Sequence, residues 1–178
     1  ERYAPHNLYS SVELIRKGQT NKGMRTEWKQ PAAIPFADKD VEIQGEQADY
    51  VRVEYLLGYH VEYKYDEENE IYLRHMLGEP HVDKETEEQI TASNILVIET
   101  SHRVLDDVGR RDVNVFGPGS GWLIQKGVAR EIDWERVDGI IRPYIDGEEV
   151  PLIPGKTWVQ VISPGLEVTF DEDEEEEQ

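Results

Sequence analysis

The densest run of side chains able to do chemistry in this 178-residue chain lies between Arg74 and Asp83, where His75, Glu79 and His81 fall between those two. In an extended segment side chains repeat every second residue, so His81 and Asp83 point the same way and could share a metal ion or a proton. His75, His81 and Asp83 are therefore the candidate metal ligands, and Arg74, His81 and Asp83 the candidate acid/base groups. The spacing matches no zinc-protease pattern, which places two histidines one helical turn apart. A loop histidine also serves as a surface group or a local hydrogen-bond partner. The cluster crowds around Gly78 and Pro80, which interrupt strand pairing and turn the chain. The expected position is a solvent-accessible strand end and loop at the rim of a sheet, where rigid β scaffolds display functional groups.

Other motifs fail on inspection. Gly155-Lys156-Thr157 ends like a phosphate-binding loop, but Val150 stands where the leading glycine belongs, and Trp158 to Ile162 reads as strand instead of the required helix. No nucleotide cofactor is expected. Gly117-x-Gly119-x-Gly121 lacks the dinucleotide spacing and precedes a strand, so it reads as a turn. Ser120 is no nucleophile elbow, because Pro118 and Trp122 occupy the two glycine places of that motif. Trp28, Trp122, Trp134 and Trp158, with nine tyrosines, could offer stacking surfaces for a sugar ring or a peptide, and they are equally good strand formers and core fillers. Glu67-Glu68 and similar pairs are too common in so acidic a chain to indicate glycosidase chemistry.

The elements that must position these residues are mostly strands. From Val51 to Tyr65 the odd positions are Val, Val, Tyr, Leu, Tyr, Val, Tyr and Tyr, a period of two that predicts half-buried strand with a bend at Gly58. Asp66 to Asn69 has turn chemistry before a strand from Glu70 to Met76, giving a meander. Ile95-Leu96-Val97-Ile98 fits a strand covered on both faces, the candidate centre of the sheet. Val113 and Val115, the glycine-rich stretch, then Trp122 and Ile124 predict a hairpin. Val128 to Trp134 alternates again, Asp146-Gly147 signals another hairpin, and Trp158 to Ile162 reads as the last strand. One helix is expected near the start, with Ser10 and Glu13 at capping-box spacing, Val12, Leu14 and Ile15 as its apolar side, and Gly18 or Gly23 as its stop. The fold class is thus α+β and predominantly antiparallel β, layered sheets with one or two short helices. Residues 1–46 form a helix and extended connector, containing Pro31 and Pro35, 47–170 the β-rich domain, and 171–178 an acidic mobile tail.

Charge and composition remove several function classes. The chain carries 38 acidic and 19 basic residues, a net of −19. Without the seven acids of Asp171 to Glu177 there remain 31 acids and 19 bases, a net of −12, so the body itself is acidic. Such a surface repels phosphate backbones, and nucleic acid is not an expected partner. There is no cysteine, hence no disulfide framework, thiolate zinc site or cysteine nucleophile. The longest apolar run is four residues, far short of the roughly 20 of a membrane-spanning helix. The sequence opens on Glu1-Arg2, with neither an initiator methionine nor a hydrophobic signal region, and the expectation is that the natural protein continues upstream.

The chain resembles the carboxy-terminal part of the YerB-like family, bacterial proteins labelled as lipoproteins and of uncharacterised function. The resemblance runs through Pro5-His6-Asn7-Leu8-Tyr9, Tyr65-Asp66 with Ile71-Tyr72-Leu73-Arg74, Pro80-His81-Val82-Asp83, Asn94-Ile95-Leu96-Val97, Gly147 and Pro154-Gly155-Lys156-Thr157-Trp158. It implies export, tethering to the outer face of the cytoplasmic membrane by a lipidated cysteine upstream of Glu1, and a larger α/β layered protein of which this piece is the second, more β-rich half. The acidic tail lies outside the family's pattern. The resemblance supplies no reaction. The resulting expectation is an extracytoplasmic binding or interaction module whose partner is an unidentified envelope component. The alternative is a metal-assisted hydrolase or transferase acting on envelope material through His75, His81 and Asp83.

Overall fold

The computed structural model describes residues 9–27 and 33–170. Trp28, Pro31, the residues before Tyr9 and the acidic tail after Phe170 lie outside the described residues. The chain divides into two units, Glu1–Ala32 and Ala33–Gln178.

Among the described residues the first unit contains one helix, α1 (Val12–Asn21). Its cap is Ser11, whose hydroxyl accepts from the Leu14 N–H at 3.2 Å. The cap falls one residue later than the Ser10–Glu13 spacing predicted, with the Leu14 N–H as the group the capping hydroxyl reaches. Glu13 is then simply an acid in the first turn, favourable at the positive end of the helix. Gly18 does not stop the helix. Gly23, in the left-handed region at φ 61°, does so by a Schellman closure, with Gly23 N–H donating to Thr20 O and Met24 N–H to Gln19 O.

The second unit is built from eight strands of five or more residues: β1 (Tyr50–Glu54), β2 (His60–Asp66), β3 (Ile71–Met76), β4 (Asn94–Glu99), β5 (Gly119–Gln125), β6 (Val128–Val137), β7 (Ile140–Ile145) and β8 (Thr157–Ile162). They form two main sheets. The first is the predicted meander β1-β2-β3, edged by Val168–Thr169 beside β1 and by Glu79–Pro80 and Thr91–Ala92 beside β3. The second has the order β7-β6-β5-β4-β8, with Glu148–Glu149 outside β7 and Glu46–Gln47 on β6. All its pairs are antiparallel except β4 with β8. A separate ribbon pairs His102–Val104 with Arg111–Val113.

Val51, Val53, Val61, Tyr63 and Tyr72 of the first sheet meet Ile95, Val97, Ile124, Ala129 and Ile162 of the second in one core. Leu96, Ile98, Leu123, Ile132 and Trp134 pack on the opposite face of the second sheet with Val150 and Leu152. The apolar run of β4 is buried on both faces for this reason, Ile95 and Val97 entering one core and Leu96 and Ile98 the other. Its place is next to the edge of the sheet, not at the centre, since only β8 lies beyond it.

The glycine-rich stretch is not a hairpin loop. Arg111–Val113 pairs with His102–Val104, while Gly119, Ser120 and Gly121 are already inside β5. Gly121 is required by close backbone approach, because a Cβ there would lie 2.0 Å from the Val97 carbonyl oxygen. Two-residue turns at Lys126-Gly127, Asp138-Gly139 and Asp146-Gly147, each with both residues at positive φ, connect β5 to β6, β6 to β7, and β7 to Glu148–Glu149. Residues 33–37 run beside Leu152, with Ala37 N–H donating to Leu152 O and Leu152 N–H to Pro35 O. A short strand, Val168–Thr169, follows β8, which is therefore not the last.

Candidate functional site

Alternation along β3 places Tyr72, Arg74 and Met76 on the face turned toward the second sheet. Two of these are ordinary core residues. Arg74 is not, and only 5 % of it is exposed. It sits opposite Tyr63 of β2, while β8 brings Trp158 and Gln160 to the same interior, since their register partners Ile95 and Val97 face it.

The resulting arrangement is a directed hydrogen-bond chain. Arg74 Nε donates to Tyr63 Oη at 3.4 Å, and Tyr63 donates in turn to Gln160 Oε1 at 2.9 Å. The Trp158 indole N–H donates to the same oxygen at 3.0 Å. Gln160 Nε2 donates to Tyr55 Oη, which donates to the Val161 carbonyl at 3.4 Å. Every link has one donor and one acceptor, so the chain fixes the orientation of the Gln160 amide and both phenols. Burial holds the Tyr63 phenol well above its usual range, and it stays a neutral donor.

The guanidinium lies over the Trp158 ring, 4.4 Å from its centroid, and 5.9 Å from that of Tyr63. Arg74 Nη1 donates to His81 Nδ1. An arginine has no acceptor atom, so His81 must be the neutral tautomer with its proton on Nε2. Burial first, and the Arg74 charge second, push the His81 imidazole below its ordinary value. The His81 ring also meets Trp158 edge to face, at 6.2 Å between centroids.

Two features stand out chemically. First, Arg74 makes no ion pair among the described residues, although the chain carries 38 acids. A buried charge without a counter-charge costs several kcal/mol, of which a desolvated cation–π contact returns about 2. Second, Nη2 has no acceptor among the described residues and is not one of the orphaned atoms closed off from solvent. Nη2 is therefore a donor without a partner among the described residues that keeps a little contact with solvent. Nearby, the turn Leu56–Gly58 draws Tyr55 N–H onto Tyr59 O at 2.7 Å and packs their rings 5.7 Å apart, leaving Tyr59 exposed.

Of the residues singled out in the sequence, the structure joins Arg74 and His81 and separates the other two. His75 points to the outer face of β3, its Nδ1 3.2 Å from Leu73 O and its Nε2 3.4 Å from the Gln89 amide nitrogen. Asp83 caps its own loop. Its Oδ1 accepts from the N–H groups of Glu85 and Thr86 at 2.9 and 3.0 Å, and these bonds hold the carboxyl below its usual range. Among the described residues no group of three His, Asp or Glu side chains could hold a metal ion. His75, His81 and Asp83 thus do not converge, because Leu77-Gly78 closes a tight hairpin and the chain then leaves the sheet at Val82. The segment is a rim only in part, since Arg74 itself is interior. Gln160 was not among the candidates, and Trp158 and the tyrosines were named only as stacking surfaces or core fillers, without a link to Arg74. The one local signal for them was an arginine in phase with Tyr72 and Met76 on the buried side of a strand.

Fold and site together define a two-sheet, mainly antiparallel β protein with a charged group enclosed where β2, β3 and β8 meet. Residues 51–159 match the family model described as "Protein of unknown function (DUF3048) C-terminal domain". The chain is 36 % identical over 161 residues to "Putative lipoprotein YerB" of Bacillus subtilis (strain 168), covering 89 % of this chain and 48 % of that protein. The crystal structure of the YerB protein from Bacillus subtilis superposes with a TM-score of 0.72 at 33 % identity, over 94 % of this chain and 57 % of that one. The chain belongs to this YerB-like, DUF3048 C-terminal family. It spans about half the length of the curated relative it matches.

Proposed function

We propose that this chain is an extracytoplasmic binding module of a lipid-anchored envelope protein, held at the outer face of the cytoplasmic membrane, and that it recognises an envelope component at the Arg74 corner. The anchoring part of this reading rests on the lipoprotein designation of the Bacillus subtilis relative. The binding part rests on one observation: a guanidinium 5 % exposed, fixed by Trp158, Tyr63 and His81, without a carboxylate partner and with Nη2 unpartnered among the described residues. Sites that bind by geometry are built in this way, with an orienting shell that leaves one polar edge for the ligand. The reading needs no cofactor, and neither His75 nor Asp83 takes part in it.

The test is co-sedimentation. Purified protein is mixed with isolated cell-wall and membrane fractions of a bacterium that carries a family member, and wild type is compared with Arg74→Lys and Trp158→Phe. Wild type should pellet with one fraction in a saturable manner, and both variants should stay largely in the supernatant. Equal pelleting of all three, or none by the wild type, would sink the proposal.

A further inference from the structure

We infer that the group recognised at this corner is an oxyanion, a carboxylate or phosphate monoester carried by the ligand, received by the free N–H donors of the Arg74 guanidinium beside an imidazole that offers it no acceptor. This deepens the binding reading above and rests on it.

Charge balance is the first argument. Arg142, the other arginine buried to a comparable degree, is paired with Glu149, whereas Arg74 has only neutral neighbours in Tyr63, Trp158 and His81. The chain has twice as many acids as bases, yet among the described residues none of them pairs with Arg74. The missing negative charge is thus left for something that is not part of the body. Donor direction is the second argument. Nε is committed to Tyr63 and one N–H of Nη1 to His81, so the donors remaining on the planar fork are the second N–H of Nη1 and both of Nη2. Because Nδ1 of His81 accepts from Nη1, the imidazole must present N–H, not a lone pair, at Nε2. Nε2 has no partner among the described residues and is not an orphaned buried atom. Two hydrogen-bonded neighbours thereby offer donors and no acceptor, which suits an oxyanion and rejects a cation or a metal ion.

Rigidity is the third argument. Stacking on Trp158 fixes the guanidinium plane, and the Tyr63–Gln160–Tyr55 chain fixes what lies behind it, so the donors are arranged before the ligand arrives. The overall charge of −19 does not oppose this at close range, since charges beyond about 8 Å are screened at physiological salt. The exposed ring of Tyr59, packed on Tyr55, is available to the neutral part of such a ligand.

The experiment uses three soluble probes that share a sugar ring: glucuronate, glucose 6-phosphate and glucose. Each is titrated at constant ionic strength into protein labelled with nitrogen-15, following the Trp158 indole, Arg74 Nε–H and His81 imidazole signals. One or both anions should give saturable shifts at these three residues and glucose none, and the tighter anion tells carboxylate from phosphate. Arg74→Lys keeps the charge but loses the fork, and should weaken binding at least tenfold. His81→Gln, at a partly exposed site, serves as the second variant should the first fail to fold, and should weaken it severalfold. Equal response to glucose, or no response to either anion at tens of millimolar, would overturn the inference. If envelope co-sedimentation still depends on Arg74 while both anions are silent, the binding reading stands and the oxyanion assignment falls. If the anions bind and nothing pellets, the site stands and its envelope partner is wrong.

Discussion

Arg142 on β7 and Arg74 on β3 are 3 % and 5 % exposed, and their surroundings differ in kind. Arg142 Nη1 meets a carboxylate, Glu149, across the turn at Asp146-Gly147, and donates to the Ala33 carbonyl at 3.1 Å. Its charge is balanced inside the fold, by residues seven apart in one hairpin. Arg74 is held by a ring face, a phenol and a neutral imidazole, with no charge to answer it. Both are equally enclosed, so burial does not distinguish a structural arginine from a functional one. The identity of the partners does, and on that criterion the candidate site is the corner where β2 and β3 of the first sheet meet β8 of the second.

This contrast can be broken at several points. Glu149→Ala should have the largest effect. It strands Arg142 and should cost about 2 kcal/mol in urea unfolding, somewhat less than a fully buried pair because Glu149 keeps some contact with water. Arg74→Met, by contrast, removes a charge that had no counter-ion and should change stability by under about 1 kcal/mol in either direction. Equal losses in the two variants would show that Arg74 is as structural as Arg142.

A smaller effect is expected from pH. His81 titrates below its ordinary 6.5 in the fold, so between its depressed value and about 6.5 the unfolded chain binds more protons than the folded one. Stability is then fully present above about pH 6.5 and falls as the pH drops toward the folded value. Arg74→Met removes the charge that opposes protonation, although burial still does, and should flatten this slope in thermal melts without erasing it. An unchanged slope would mean that the Arg74 charge does not reach the ring. Least of all, Asp83→Ala should lower the melting temperature slightly through loss of its loop cap and leave the probe titrations untouched. A loss of binding in that variant would return Asp83 to the site and reopen the metal-assisted alternative.

Much of the frame was legible. Alternation from Val51 to Tyr65, the turn at Asp66 to Asn69 and Asp146-Gly147 are local signals, and the corresponding strands and turns are where they were expected. The errors arose where pairing is non-local. Gly119-Ser120-Gly121 looked like a loop because nothing near it reveals that Val97 O lies against its backbone. The site was half legible: Arg74 and His81 lie seven residues apart and were singled out, but with the wrong company.

The sequence by itself determined the meander strands, the turns at Asp66 to Asn69 and Asp146-Gly147, and that Arg74 and His81 belong to one local cluster, because all of these follow from side-chain period and turn chemistry over a few residues. Only the tertiary structure decided that Arg74 faces the interior, that Asp83 turns away, and that Trp158 and Gln160 arrive from more than eighty positions downstream. The physical reason is the parallel pairing of β8 with β4, a long-range contact with no signature in either strand, which sets an indole against a guanidinium and an amide against a phenol of the other sheet.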